Sequence, residues 1–96
     1  TENIDFIHSE SGLVTVYLNN GQRYIVNYTL DALEKRLNPQ EFYKANRQFI
    51  INRRTIQDVE HYFTRRLIVR LKVNTPDNII ISKVKATDFL RWVETN

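Results

Sequence analysis

The hydrophobic pattern of the chain changes period as it is read from the N-terminus. Ile4-Asp5-Phe6-Ile7 reads as a short strand, and His8-Ser9-Glu10-Ser11-Gly12 as a polar connection. Residues 13–18 are rich in β-branched and aromatic side chains, which suit a pleated, half-buried surface. Asn19-Asn20-Gly21 follows. Asn-Gly tolerates positive φ at both central positions and predicts a hairpin, with residues 22–28 as the returning strand. Leu30, Leu33 and Leu37 then lie three and four apart, one stripe of a helix. Thr29 is placed to cap that helix and Asp31 suits its first turn. Asn38-Pro39 ends it, because the residue before proline avoids the α region.

Residues 40–48 are mixed and polar around Phe42 and Tyr43, and Phe49-Ile50-Ile51 is a short buried strand. Residues 55–62 and 67–73 predict a second hairpin about Phe63-Thr64-Arg65-Arg66. Leu67, Val69, Leu71 and Val73 alternate with Ile68, Arg70 and Lys72, so one face points inward and the other is mostly charged. Residues 74–78 form a turn, residues 79–81 another buried strand, and a helix runs from Ser82 with Phe89, Trp92 and Val93 inward. The pattern predicts a mainly β domain of six or seven strands, one short central helix and one C-terminal helix.

Ninety-six residues make one small domain, and 42% hydrophobic residues supply a core without staples. With no Cys there is no disulfide framework, thiolate zinc site or Cys nucleophile. The longest apolar runs are far too short to cross a bilayer. No charged-then-apolar leader opens the chain, which begins at Thr1; it reads as a single domain, residues 1–96, either cut from a longer protein or otherwise processed.

Charge is unevenly placed. Residues 44–85 hold ten bases (Lys44, Arg47, Arg53, Arg54, Arg65, Arg66, Arg70, Lys72, Lys83, Lys85) against Asp58, Glu60 and Asp77, a formal +7. Residues 1–43 carry −3 and residues 86–96 carry −1, so a whole-chain +3 hides a strong polarity. Concentrated basic charge on a small domain is the footprint of a polyanion binder.

Catalysis finds no foothold in the residues. His8 and His61 have no ligand at metal spacing, His61 reads as an exposed strand residue, and neither a Gly-rich phosphate loop nor a nucleophile elbow is present. Asp58 and Glu60 share a strand face that a solvated edge explains. Arg65-Arg66 at a hairpin tip, Arg53-Arg54 after a buried strand, and Arg70 with Lys72 each admit two readings, a solubilising or capping role and a phosphate contact.

Lys44-Ala45-Asn46-Arg47-Gln48 is more pointed. Arg pairs with guanine edges, and Asn or Gln with adenine edges. Here the three stand together between the apolar anchors Phe42 and Phe49. The other reading is that Asn46 and Gln48 satisfy loop backbone groups. Ser82-Lys83-Val84-Lys85 is a second site: a helix N-terminus flanked by lysines suits phosphate, though it also describes an ordinary capped helix.

These residues resemble the LytTR-type DNA-binding domain of bacterial response regulators, from Ile4 to about Val93. The likeness is carried by Ile4-Asp5-Phe6-Ile7, Ser11-Gly12, the Asn20-Gly21 turn and Thr29-Leu30 with Leu33 and Leu37. Its most specific stretch is residues 42–52 followed by Ile56, and Ser82-Lys83 adds to it. The resemblance implies an elongated antiparallel β fold whose loops enter successive major grooves. It implies contacts near Ser11 and Gly12, on Asn46, Arg47 and Gln48, and on Ser82, Lys83 and Lys85. It further implies no cofactor, an upstream receiver domain in a two-component system, paired binding to repeated sites and a cytoplasmic setting. The chain departs from the pattern where Asn46 replaces a common His, where Val84 replaces a frequent base, and where Gly12 offers no side chain. The expected function is sequence-specific binding of double-stranded DNA in transcription regulation. The rival is a β-rich protein-interaction module whose basic face meets an acidic partner, with single-strand or RNA binding as a third possibility if aromatics near the basic region are exposed.

Overall fold

Phe6, Ile7, Ile50 and Ile51 are each at most 1% exposed, so the strands that carry them are covered on both faces. In the computed structural model, which describes residues 3–95, these strands are β1 (Ile4–Glu10) and β5 (Phe49–Asn52). They lie in a five-stranded antiparallel sheet with β2 (Leu13–Leu18), β3 (Arg23–Val26) and β4 (Phe42–Lys44), ordered β3-β2-β1-β5-β4. The register pairs Phe6 with Ile51 and Ile7 with Ile50. Because side chains alternate along a strand, the two pairs lie on opposite faces of the sheet.

Each face meets a different partner. Ile7 and Ile50 pack with Val14, Leu30, Leu37 and Phe42 beneath helix α1 (Leu30–Arg36). Phe6, Phe49 and Ile51 pack with a second, three-stranded antiparallel sheet of β6 (Ile56–His61), β7 (Leu67–Leu71) and β8 (Ile79–Ile81). Helix α2 (Lys83–Glu94) closes that core with Phe89, which is fully buried. The alternation in residues 67–71 is realised as expected: Leu67, Val69 and Leu71 are buried, and Arg70 faces out.

Local rules account for the element ends. Thr29 Oγ1 accepts a hydrogen bond from the Ala32 amide at 3.1 Å, capping α1, and Leu37 leaves the helix in an extended conformation. The Asn19–Gly21 turn closes through a Leu18 N–H to Gln22 carbonyl bond of 2.8 Å, with Gly21 at φ 88. Arg53 secures the far end of α2. Its Nη1 donates to the carbonyls of Trp92 and Val93, and its Nε to that of Gln40. Its guanidinium also lies 4.0 Å from the centroid of the Trp92 ring.

Two expectations change. The described residues contain eight strands rather than six or seven, because Phe42–Lys44 pairs with β5 inside the stretch read as mixed and polar. The polar connection at residues 8–12 shrinks to a two-residue turn. β1 runs to Glu10, and His8 is buried against Phe49 with ring centroids 4.7 Å apart. The principal extents are 33 × 29 × 25 Å, with the second sheet packed over one face of the first.

Candidate nucleic-acid interface

The connection between β4 and β5 is held so that its middle stands out. Ala45, fully buried, donates its amide to the Phe49 carbonyl at 2.9 Å. Asn46 Oδ1 accepts from the amides of Gln48 (2.8 Å) and Phe49 (3.0 Å), a local turn of the kind asparagine favours. Asn46 Nδ2 donates to the Ile80 carbonyl at 2.9 Å, joining the loop to β8. The Ser9 amide donates to the Gln48 carbonyl at 2.8 Å, joining it to β1. Of the three residues singled out in this loop, Asn46 is thus half-buried and bonded to backbone groups. Arg47 and Gln48 have exposed side chains.

At the start of α2, Ser82 has the extended backbone of a cap residue, yet its hydroxyl makes no capping bond. Lys83 is exposed and Val84 is 91% exposed. Lys85 turns inward: its Nζ donates to the Lys44 carbonyl at 2.9 Å and lies 5.6 Å from the centroid of the Tyr43 ring. The first inter-strand loop is the tight turn Ser11-Gly12. Both residues are exposed, and φ values of 53 and 82 match the mirror-image turn that suits a hairpin.

The separate loops meet. A cleft of about 470 Å³ is lined by Lys44, Ala45, Asn46, Arg47, Ile80, Ser82 and Lys85, together with Arg66 from the β6–β7 hairpin. A neighbouring cleft of about 320 Å³ is lined by residues including Ser9, Gly12, Asp31, Lys44 and Arg47. Arg47 borders both. Of the residues expected to act together, Gly12, Asn46, Arg47, Ser82 and Lys85 line these two adjoining clefts, whereas Ser11, Gln48 and Lys83 are not in their walls.

Much of the basic charge is already paired or bonded within the fold. Arg54 pairs with the buried Asp5 at 3.2 Å, and Arg70 pairs with Asp58 at 3.1 Å and also with Glu60. Lys44 pairs with Asp31, and Arg53 and Lys85 bond to backbone carbonyls. Of the ten bases in residues 44–85, four, Arg47, Arg65, Lys72 and Lys83, have no side-chain hydrogen bond or ion pair among the described residues. Two of these four, Arg47 and Lys83, lie in the stretches picked out from sequence. Sequence alone shows where bases are concentrated, not which of them a folded neighbour neutralises.

Two groups report the local electrostatics. The Asp31 carboxyl is held below its ordinary value by its hydrogen bond to Lys44 and by that ammonium's charge. The Tyr43 phenol is pushed up by burial, then by its hydrogen bond to Asp88 at 2.8 Å and that carboxylate's charge. Tyr43 thus stays a neutral donor that anchors β4 to α2.

Fold and site together define a β-rich module that brings the β4–β5 loop, the start of α2 and the β6–β7 hairpin around one basic cleft. The chain belongs to the LytTR family of DNA-binding domains, whose model matches residues 1–94. It is 34% identical over 70 residues to the transcriptional regulatory protein LytR of Staphylococcus aureus strain N315, and equally to that of strain COL. The match covers 73% of this chain and 28% of each relative, so the chain spans little more than a quarter of their length. In fold it is similar to a LytTr DNA-binding domain from Bacillus cereus, with a TM-score of 0.80 at 15% identity, covering 98% of this chain and 84% of that one.

Proposed function

We propose that this chain is the output domain of a bacterial two-component response regulator and reads duplex DNA through the three loops described above. Arg47 and Gln48 face base edges in one major groove. Lys83 and the start of α2 engage the backbone at the next groove, and Ser11 and Gly12 approach the duplex beyond Arg47. Asn46 and Lys85 hold the reading loop and the helix start in register, and Ser82 brings the helix N-terminus to the phosphate. In the full-length protein a receiver domain precedes this domain, two copies occupy repeated sites, and the protein works in the cytoplasm without catalysis or a cofactor.

The observation that carries the reading is the placement of Arg47. Its guanidinium is unpaired among the described residues and borders both clefts, on a loop tied to β1 and β8 by backbone and side-chain bonds. Preorganised arginines of this kind suit bidentate recognition. Titration of the chain against selected and random duplexes in a gel-shift assay tests it. Preference for the selected duplex is expected. Equal binding to both, or binding only to an acidic protein, would overturn it.

A further inference from the structure

We infer that the tip of the β6–β7 hairpin is a fourth DNA contact, where Arg65 and Arg66 hold a backbone phosphate beside the bases faced by Arg47. The inference rests on the duplex-binding reading above and adds a contact to it.

The backbone of the tip is unusual. Thr64 (φ 56, ψ 39) and Arg65 (φ 63) are consecutive non-glycine residues in the left-handed region. Glycine or asparagine would relieve that conformation. Strain of this sort persists where surrounding bonds fix it, and it clusters at binding sites. Here the Tyr62 amide donates to the Arg66 carbonyl at 2.8 Å, and the Arg66 amide to the Phe63 carbonyl at 3.2 Å. Arg66 Nε also donates to the Phe63 carbonyl (3.2 Å) and to Thr64 Oγ1 (3.0 Å).

The charge of the tip has no internal use. Arg65 is exposed and unpaired among the described residues. The acids on the adjoining strand, Asp58 and Glu60, are both engaged by Arg70. Arg66 uses only Nε within the turn, and its guanidinium rests 5.0 Å from the centroid of the Tyr62 ring. Among the described residues its two terminal nitrogens have no hydrogen bond. A stacked, half-tethered guanidinium with a free end is a fork already aimed, the form in which arginine binds phosphate.

Position supplies the rest. Arg66 lines the same cleft as Asn46, Arg47, Ser82 and Lys85, and the tip packs against α2. A solubilising turn has no reason to bring its charge there. Phe63, 72% exposed at the tip, adds an apolar surface that a docked sugar-phosphate chain would cover. Phosphate rather than a base is the target, because the tip offers charge without an amide partner, and such contacts position a protein without reading sequence.

The test is a salt titration of the chain against selected and random duplexes. Arg65→Gln should lower the slope of log affinity against log salt by about one. At 0.15 M salt, affinity should fall by roughly fivefold on both duplexes alike. Arg65 has no partner to lose, so its unfolding midpoint should match the parent's. Arg66→Lys keeps the charge but not the fork, and should weaken binding with the slope retained. A slope for Arg65→Gln equal to the parent's would overturn the inference, and so would a loss confined to the selected duplex. In either case a parent that still prefers the selected duplex leaves the proposed function standing. A parent that binds no duplex removes both.

Discussion

Asn46 Nδ2 lies 2.9 Å from the carbonyl oxygen of Ile80, 34 residues further along the chain. That bond sets the spacing between the loop carrying Arg47 and the strand leading into α2. Asn46→Ala removes it together with the two bonds accepted by Oδ1, leaving backbone groups in a part-buried region without partners. We expect a loss of about 1–3 kcal/mol in urea unfolding, with weaker duplex binding alongside. A variant as stable as the parent would mean that the spacing is fixed by packing alone.

Arg47→Ala and Lys83→Ala should fail in different ways. The first should lose about 1–3 kcal/mol of binding and relax discrimination at one base position, as read by binding-site selection. The second should weaken binding to all sequences and reduce the salt slope by about one. An unchanged preference profile for Arg47→Ala would remove it from the reading set, and a parental slope for Lys83→Ala would reject phosphate contact there.

Arg53 tests whether the C-terminal half of α2 depends on one guanidinium. It bonds to the carbonyls of Trp92, Val93 and Gln40, and it stacks on Trp92. Lysine retains the charge at that helix end but cannot make the forked contacts. Arg53→Lys should therefore cost about 2 kcal/mol. Trp92, the chain's single tryptophan, reports the change through its fluorescence. A parental unfolding curve and emission maximum would show the clamp to be dispensable.

Tyr43 makes stability depend on alkaline pH. Burial and the bond to Asp88 raise its phenol above the ordinary 10.0, so the folded chain keeps a proton that the unfolded chain gives up. The stability this adds is fully present below pH 10 and declines as pH rises beyond it. Tyr43→Phe should be less stable than the parent at neutral pH, through loss of the Asp88 bond, yet fall less steeply above pH 10. Parallel curves for parent and variant, measured by urea unfolding from pH 8 to 11, would count against the assignment.

Local chemistry made much of the fold legible. The Asn20-Gly21 hairpin formed, though only Gly21 takes positive φ, Thr29 and the leucine stripe of α1 acted as their residue types dictate, and the run Phe49-Ile50-Ile51 announced a strand buried on both sides. β4 was not legible, because Phe42-Tyr43-Lys44 is too short to show a period and owes its pairing to β5. His8 looked like a loop residue among polar neighbours. It is buried because the second sheet covers that face of β1, which pairing distant in sequence decides. The candidate site divides the same way. Exposure of Arg47 and Gln48 followed from the polar segment between apolar anchors. The inward turn of Lys85 and the pairing of Arg54 with Asp5 depend on residues far along the chain.

The reading loop is fastened on either side, to Ser9 by its Gln48 carbonyl and to Ile80 by the Asn46 amide. Its outward residues are therefore exchangeable while its length is not. If the side chains at 47 and 48 read bases as proposed, redirecting the domain to a new operator calls for exchanging those two and leaving the residue count untouched, since a single insertion would detach one mooring or the other.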